Sequence, residues 1–185
     1  DTLSDLIERV QTGRASLKRV IIETTGLADP APVLQSIMGH PVMLQAYRLD
    51  GVLTTVDAVN GMATLDAHAE AVKQVAMADR LVLTKTDLPE AFTGLPDLIA
   101  RLKRLNPSAP IIDAPSGDAG VATLFECGLY NPQTKTPDVQ RWLNEEAYRD
   151  RDTERQGLDG YHHHDLIRHA RSIRSFSLVH EWPIP

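Results

Sequence analysis

Four short β-branched or aliphatic runs punctuate the chain: Val20-Ile21-Ile22, Val52-Leu53-Thr54-Thr55-Val56, Leu81-Val82-Leu83 and Ile111-Ile112. None alternates apolar with charged positions, which is the pattern of strands covered on both faces, as in a parallel sheet. The runs start about 30 residues apart, and the intervals carry helical patterns over Ala31 to Leu49, Gly61 to Ala78 and Leu95 to Leu105. In the second interval Met62, Leu65, Ala69, Val72, Val75 and Ala76 form an approximate apolar stripe. Strand, loop and helix repeating at this period is the βαβ unit. The predicted fold class is therefore α/β with a doubly wound, mostly parallel sheet. An amphipathic helix is predicted at the start, where Leu3, Leu6, Ile7 and Val10 fall at i, i+3, i+4 and i+7.

Past Ile112 the rhythm weakens. Pro115, Gly117 and Gly120 mark turns, Leu124 to Leu129 reads as one short helix, Asn131 to Pro137 as a loop and Val139 to Tyr148 as a further helix. Arg149 to Asp165 is charged, histidine-rich and nearly free of apolar residues, which is linker composition. The expected organisation is an α/β domain over 1–148, a linker over 149–170 and, over 171–185, the first strand of a second domain. Asp1 opens directly onto a helix and Pro185 stops where another element is expected, so the chain reads as a piece of a longer protein.

At 185 residues and 42% apolar content the chain can bury a substantial core. Its 19 Lys and Arg against 25 Asp and Glu give a net charge of -6, which lacks the cationic field that nucleic acid or an anionic membrane would need. The single cysteine, Cys127, excludes an internal disulfide framework and any CxxC metal site within these residues. No apolar run approaches the roughly 18 residues of a membrane span and nothing resembles a signal peptide, so a cytoplasmic location is expected.

In open α/β sheets ligands sit at the carboxyl ends of the strands, so the residues that follow each run carry the candidate chemistry. The first run leads into Glu23-Thr24-Thr25-Gly26. Glu23 could hold Mg²⁺ beside a nucleotide's β- and γ-phosphates, and the Gly26 N–H could sense the γ-phosphate. Glu23 could equally cap the next helix or form a salt bridge. The third run ends in Thr84-Lys85-Thr86-Asp87, close to the [NT]KxD element of guanine-nucleotide-binding proteins. Asp87 would accept paired bonds from guanine N1–H and its amino group while the Lys85 stem lies along the base; alternatively Asp87 is a turn residue before Leu88-Pro89. After the fourth run, Ser116 and Gly117 are candidates for the guanine O6. Asp57, after the second run, reads as a helix cap in preference to a switch-loop anchor. No GxxxxGK[ST] and no Gly-Lys pair occurs, so the chain as it stands is expected not to hydrolyse GTP. His162, His163 and His164 could ligate Zn²⁺, Co²⁺ or Ni²⁺, or be part of a solvated linker; Cys127 reads as a small buried residue.

Two stretches resemble one family. Arg19-Val20-Ile21-Ile22-Glu23-Thr24-Thr25-Gly26-Leu27-Ala28-Asp29-Pro30 is similar to the ETSGLADP-like motif of the CobW-type GTPases, the cobalamin-synthesis and metallochaperone family, and Gln74 to Leu88 is similar to that family's guanine-recognition segment. The resemblance implies a partial GTPase domain over 1–148, P-loop NTPase-like but lacking its first strand and phosphate-binding loop, and a metal-binding linker at His162 to His164. It implies Mg²⁺ and γ-phosphate roles for Glu23 and Gly26 and guanine contacts from Thr84, Lys85 and Asp87. Thr84 stands where Asn is commoner, which loosens one loop-anchoring bond. The implied cofactors are GTP or GDP with Mg²⁺, with Zn²⁺ or Co²⁺ as cargo, and the implied partner is a metal-dependent client protein. The implied function is GTP hydrolysis coupled to delivery or insertion of a metal, with slow intrinsic turnover. The competing expectation is a non-enzymatic α/β metal-binding or interaction module with a vestigial nucleotide site. Exposed sheet edges would favour self-association, so a homo-oligomer is also expected among the partners.

Overall fold

The computed structural model describes residues 2–39, 41–125 and 130–156. At its centre lies a parallel sheet of three strands in the order β1 (Leu53–Asp57), β2 (Arg80–Thr84) and β3 (Ile111–Asp113). Three of the four predicted runs thus become adjacent parallel strands. Their register sets Asp57 beside Thr84 and Leu83 beside Asp113, which brings three polar strand tips together at the carboxyl end of the sheet. The central strand is apolar on both faces because both are covered: Leu81, Val82 and Leu83 are all buried.

Nine α-helices and one 3-10 turn (Pro132–Thr134) are present among the described residues: α1 (Thr2–Gln11), α2 (Pro30–Met38), α3 (Pro41–Ala46), α4 (Gly61–Ala67), α5 (Ala69–Met77), α6 (Pro89–Phe92), α7 (Leu95–Leu105), α8 (Val121–Leu124) and α9 (Pro137–Gln156). Val56, Leu81 and Leu83 share one face of the sheet and pack with Leu65 of α4, Ala71 and Val75 of α5, and Leu98 and Leu102 of α7. Each such leucine removes enough apolar surface from water to contribute about 2 kcal/mol. A second cluster joins Ala31 and Leu34 of α2, Ala76 and Met77 of α5, Tyr130, and Val139 and Leu143 of α9. Helix α5 therefore belongs to both cores. Its last carbonyls are satisfied from outside, because Asn106 Nδ2 donates to the carbonyl oxygens of Val75, Ala76 and Ala78. Among the described residues no helix is long and apolar enough to cross a membrane.

Several expectations need correction. Val20-Ile21-Ile22 forms no strand; Ile21 is 72% exposed and Ile22 47%. A strand exists only through its ladder, and among the described residues β1 pairs with β2 on one edge and with nothing on the other. Without that ladder the apolar run remains irregular, and Glu23 does not stand at a strand tip. The interval Ala31 to Leu49 holds two helices. Gly39 ends α2, its N–H donating to Gln35 O at 2.7 Å, and a Cβ there would stand only 2.9 Å from that oxygen; Pro41 then opens α3. Gly61 to Ala78 is likewise split, at His68, which is extended (φ -131°, ψ 114°). The last helix runs on to Gln156, into the stretch expected to be linker, because no Gly or Pro interrupts the charged sequence before Gly157. A short helix, α8, ends at Leu124, and most of the helix expected over 124–129 lies outside the described residues. Helix α7 has the predicted bounds. Cys127, the histidine tract and the second-domain strand expected over 171–185 lie outside the described residues.

Candidate functional site

The carboxyl ends of the three strands interlock around the Thr84-Lys85-Thr86-Asp87 turn. Asp57 ends β1 and closes the turn that leads to α4: its Oδ1 accepts the Val59 N–H at 2.8 Å and the Asn60 N–H at 3.1 Å, and its Oδ2 accepts Asn60 Nδ2 at 3.1 Å. Lys85 Nζ donates to the same Oδ2 at 2.7 Å. Partial burial pushes the Asp57 carboxyl up, but the bonds from Lys85, Asn60 and Val59 outweigh it and hold the group well below the usual carboxylate range. Asp57 is not the helix cap expected of it, because Asn60 holds the N-cap position of α4 without a side-chain cap bond; Asp57 instead closes the turn that precedes the helix and forms an ion pair that the spacing of the motifs did not reveal.

On the other side Thr86 Oγ1 donates to Asp113 Oδ1 at 2.5 Å, joining the turn to the end of β3. Thr84 Oγ1 donates to Val56 O at 3.3 Å, and the Ala58 N–H donates to Thr84 O at 2.9 Å. The turn is therefore fastened to both neighbouring strands. Lys85 has φ +60°, the one non-glycine residue with positive φ among those described. Such a conformation costs energy and persists where the surroundings over-determine it. Asp87, next but one, is exposed, and among the described residues nothing bonds its carboxylate. The chain uses every polar side chain of this turn to hold its shape except the one expected to read a base.

Ser116 and Gly117 form the turn after β3. Ser116 Oγ lies 2.8 Å from Asp113 O and 2.7 Å from Asp118 Oδ2, and the Gly117 N–H donates to Ala114 O at 3.2 Å. Gly117 has φ +87°, where a side chain would be strained. These two candidates shape the loop beside the Lys85 turn, tied to it through Asp113.

Glu23 is exposed and takes no part in this network. The segment after it is anchored to α5 instead: Gln74 Nε2 donates to Gly26 O at 3.0 Å and to Ala28 O at 2.9 Å. Asp29 caps α2 by accepting the Ala31 N–H at 3.0 Å, Pro30 takes the first helical position, and Lys73 Nζ pairs with Asp29 Oδ2. Nothing stands within 4 Å of a Cβ built on Gly26, so packing within the chain does not require glycine there. His162, His163 and His164 lie outside the described residues, and among the described residues no three His, Cys, Asp or Glu side chains gather as a metal site. Concavities of about 210 and 270 Å³ lie at the opposite, amino-terminal end of the strands around Lys135, Ser108 and Thr134. Their lining offers no partner for the turn chemistry, so the strand tips remain the better candidate.

The chain is 39% identical over 125 residues to the zinc chaperone YjiA of Escherichia coli (strain K12), covering 68% of this chain and 38% of that protein. It is 25% identical over 147 residues to zinc-regulated GTPase metalloprotein activator 1 of Saccharomyces cerevisiae, covering 70% of this chain and 34% of that protein. The crystal structure of the Zn(II)-bound YjiA GTPase superposes with a TM-score of 0.62 over 68% of this chain and 38% of that one. The chain thus spans well under half the length of the relatives it matches. Residues 1–113 match the model of the CobW/HypB/UreG nucleotide-binding domain, and with the YjiA likeness this establishes that the chain belongs to that family.

Proposed function

We propose that this chain supplies the guanine-recognition half of a GTP-hydrolysing metallochaperone that carries zinc. The observation that carries the reading is the turn at Thr84-Lys85-Thr86-Asp87: braced from both sides, it leaves the Asp87 carboxylate alone open to a ligand. A carboxylate so placed accepts the N1–H and amino donors of guanine as a pair, which adenine cannot offer. The Lys85 stem lies along the base, Thr84 fastens the turn, and Ser116 with Gly117 faces the O6 edge. Glu23 and Gly26 serve the Mg²⁺ ion and the γ-phosphate, in line with the family motif they occupy.

Water attacks the γ-phosphorus of GTP and the bond to the β-phosphate oxygen breaks, giving GDP and inorganic phosphate; catalysis of this kind rests on positioning and on charge stabilisation. Zinc is favoured over cobalt by the names of the relatives, and His162, His163 and His164 are its proposed ligands here. The nucleotide state then governs release of the ion to a metal-dependent client protein in the cytoplasm.

Calorimetry on the intact protein tests the reading. GDP is expected to bind at least tenfold more tightly than ADP, and Asp87→Asn is expected to move the preference towards xanthosine diphosphate, whose 2-oxo group cannot donate to a carboxylate. Equal affinities for GDP and ADP would remove the assignment. A Zn²⁺ titration in which His162, His163 and His164 are replaced by Ala is expected to lose affinity; an unchanged isotherm would make the tract a plain linker.

A further inference from the structure

Lys85 is doubly constrained. Its backbone is held in the left-handed region at φ +60°, and its ammonium reaches back across the strand ends to Asp57 Oδ2 at 2.7 Å. Asp57 is itself held at both oxygens, which accept the Val59 and Asn60 amides and the Asn60 side chain. The pair joins residues from adjacent strands in register, with Asp57 beside Thr84, so the carboxylate stands at a fixed height next to the turn. A half-exposed ion pair contributes little to folding, with Lys85 53% and Asp57 27% exposed at the side chain. What it does fix is direction. A lysine free to move among its rotamers would present no defined face to a planar base, whereas one tied at Nζ holds its methylene stem in one line.

We infer that Asp57 is a positioning residue for base recognition: by anchoring Lys85 Nζ and the left-handed Lys85 backbone, it sets the plane on which a guanine ring lies and the aim of Asp87. This rests on the nucleotide reading above and adds to it a residue outside the recognition motif. Asp57 touches no base. Its charge acts through Lys85, and its Oδ1 holds the Val59 and Asn60 amides of the turn before α4 independently of that action.

The test is a double-mutant cycle on the intact protein, read as GDP and ADP affinities by calorimetry. Asp57→Asn keeps an acceptor for the Val59 and Asn60 amides and removes the charge that holds Lys85. It is expected to weaken GDP about tenfold and to narrow the GDP-to-ADP ratio, with a thermal midpoint close to that of the unsubstituted protein. Lys85→Met is expected to do the same, and the two together to cost no more than either alone. Asp57→Glu, which restores the charge, is expected to recover part of the ratio. Should Asp57→Asn fail to fold, Asp57→Ser offers a shorter oxygen acceptor to the same amides and is read identically. GDP affinity within twofold of the unsubstituted protein, or losses that add in the double variant, would overturn the inference while leaving the nucleotide reading in place. No preference for GDP in the unsubstituted protein would overturn both.

Discussion

Lys135 and Asp79, 56 residues apart, form an ion pair at the amino-terminal end of the sheet, with Lys135 Nζ 2.5 Å from Asp79 Oδ1 and 2.9 Å from Ala78 O. The lysine side chain is 5% exposed and the aspartate 19%. Asp79 is also bound twice to Val52, accepting its N–H at Oδ2 and donating its own N–H to the Val52 carbonyl. One pair therefore ties the chain after α8 to the base of β1 and β2. Removing a single partner strands the other charge in a poorly solvated site, so Lys135→Met is expected to cost about 3 kcal/mol in urea denaturation. Adding Asp79→Asn, which keeps an acceptor for Val52, is expected to restore part of that loss. Strictly additive losses would show that the two charges are not coupled.

Asn106 terminates α7 and at the same time closes α5. Its Nδ2 group serves three carbonyls, while its Oδ1 accepts the Ala109 N–H at 3.1 Å and the Ser108 hydroxyl at 3.0 Å. The residue is 2% exposed, so water cannot replace it. Each net hydrogen bond is worth about 1 kcal/mol and a stranded buried group costs more. Asn106→Ala is expected to destabilise the protein by about 3 kcal/mol. Asn106→Asp, which turns an oxygen towards the same carbonyls, is expected to cost more still. A smaller loss for Asp than for Ala in chemical denaturation would contradict the bonding described.

The α/β class, the parallel direction of the strands formed by the last three runs and the bounds of α7 were legible in the sequence because each depends on local pattern: apolar runs of strand length at a βαβ period, and a stripe from Leu95 to Leu105. The first run was misread because Val20, Ile21 and Ile22 have strand propensity but no partner among the described residues, and pairing is a non-local property. The split of the first interval is signalled by Gly39 and Pro41, whereas the split at His68 falls in a stripe that no Gly or Pro interrupts. At the candidate site, Thr84, Lys85 and Asp87 were visible as a motif with a chemical rationale. The struts that brace them, Asp57 to Lys85 and Thr86 to Asp113, follow from register, and register is fixed only when strands meet. An Asp directly after the second run and another directly after the fourth are the signal of these struts available in the sequence.

Gly61 opens α4 under the sheet. A Cβ there would stand 3.0 Å from Val56 Cγ1 and 3.2 Å from Leu98 Cδ2, both in the main core. Overpacking of this kind costs about 1–3 kcal/mol, against at most about 1 kcal/mol gained from helix propensity. Gly61→Ala is therefore expected to lower stability, and to be less harmful in a Val56→Ala background, where room has been made. An equal or larger penalty in that background, measured by urea midpoint, would show that the clash is elsewhere.

Tyr130 is 9% exposed and packs with Val139 and Leu143, and its hydroxyl oxygen is buried with no hydrogen-bond partner among the described residues. Lys135 Nζ lies 5.2 Å from its ring centroid. Burial, and secondarily the nearby Asp79 charge, push the phenol up to about 12 from its ordinary 10.0. Because the folded state holds the proton more tightly than the unfolded one, the associated stability is complete below about pH 10 and declines as pH rises from about 10 to about 12. Tyr130→Phe removes both an unpaired hydroxyl and that titration. The ring and its contact with Lys135 stay, so stability at pH 7 is expected to be unchanged or raised by up to about 1 kcal/mol. Absorbance at the phenolate wavelength is expected to lose the latest-titrating of the four tyrosines, and the alkaline decline in stability is expected to shrink. A loss of more than about 1 kcal/mol at pH 7 would mean that the hydroxyl has a partner, and would place one of its bonds among residues outside those described.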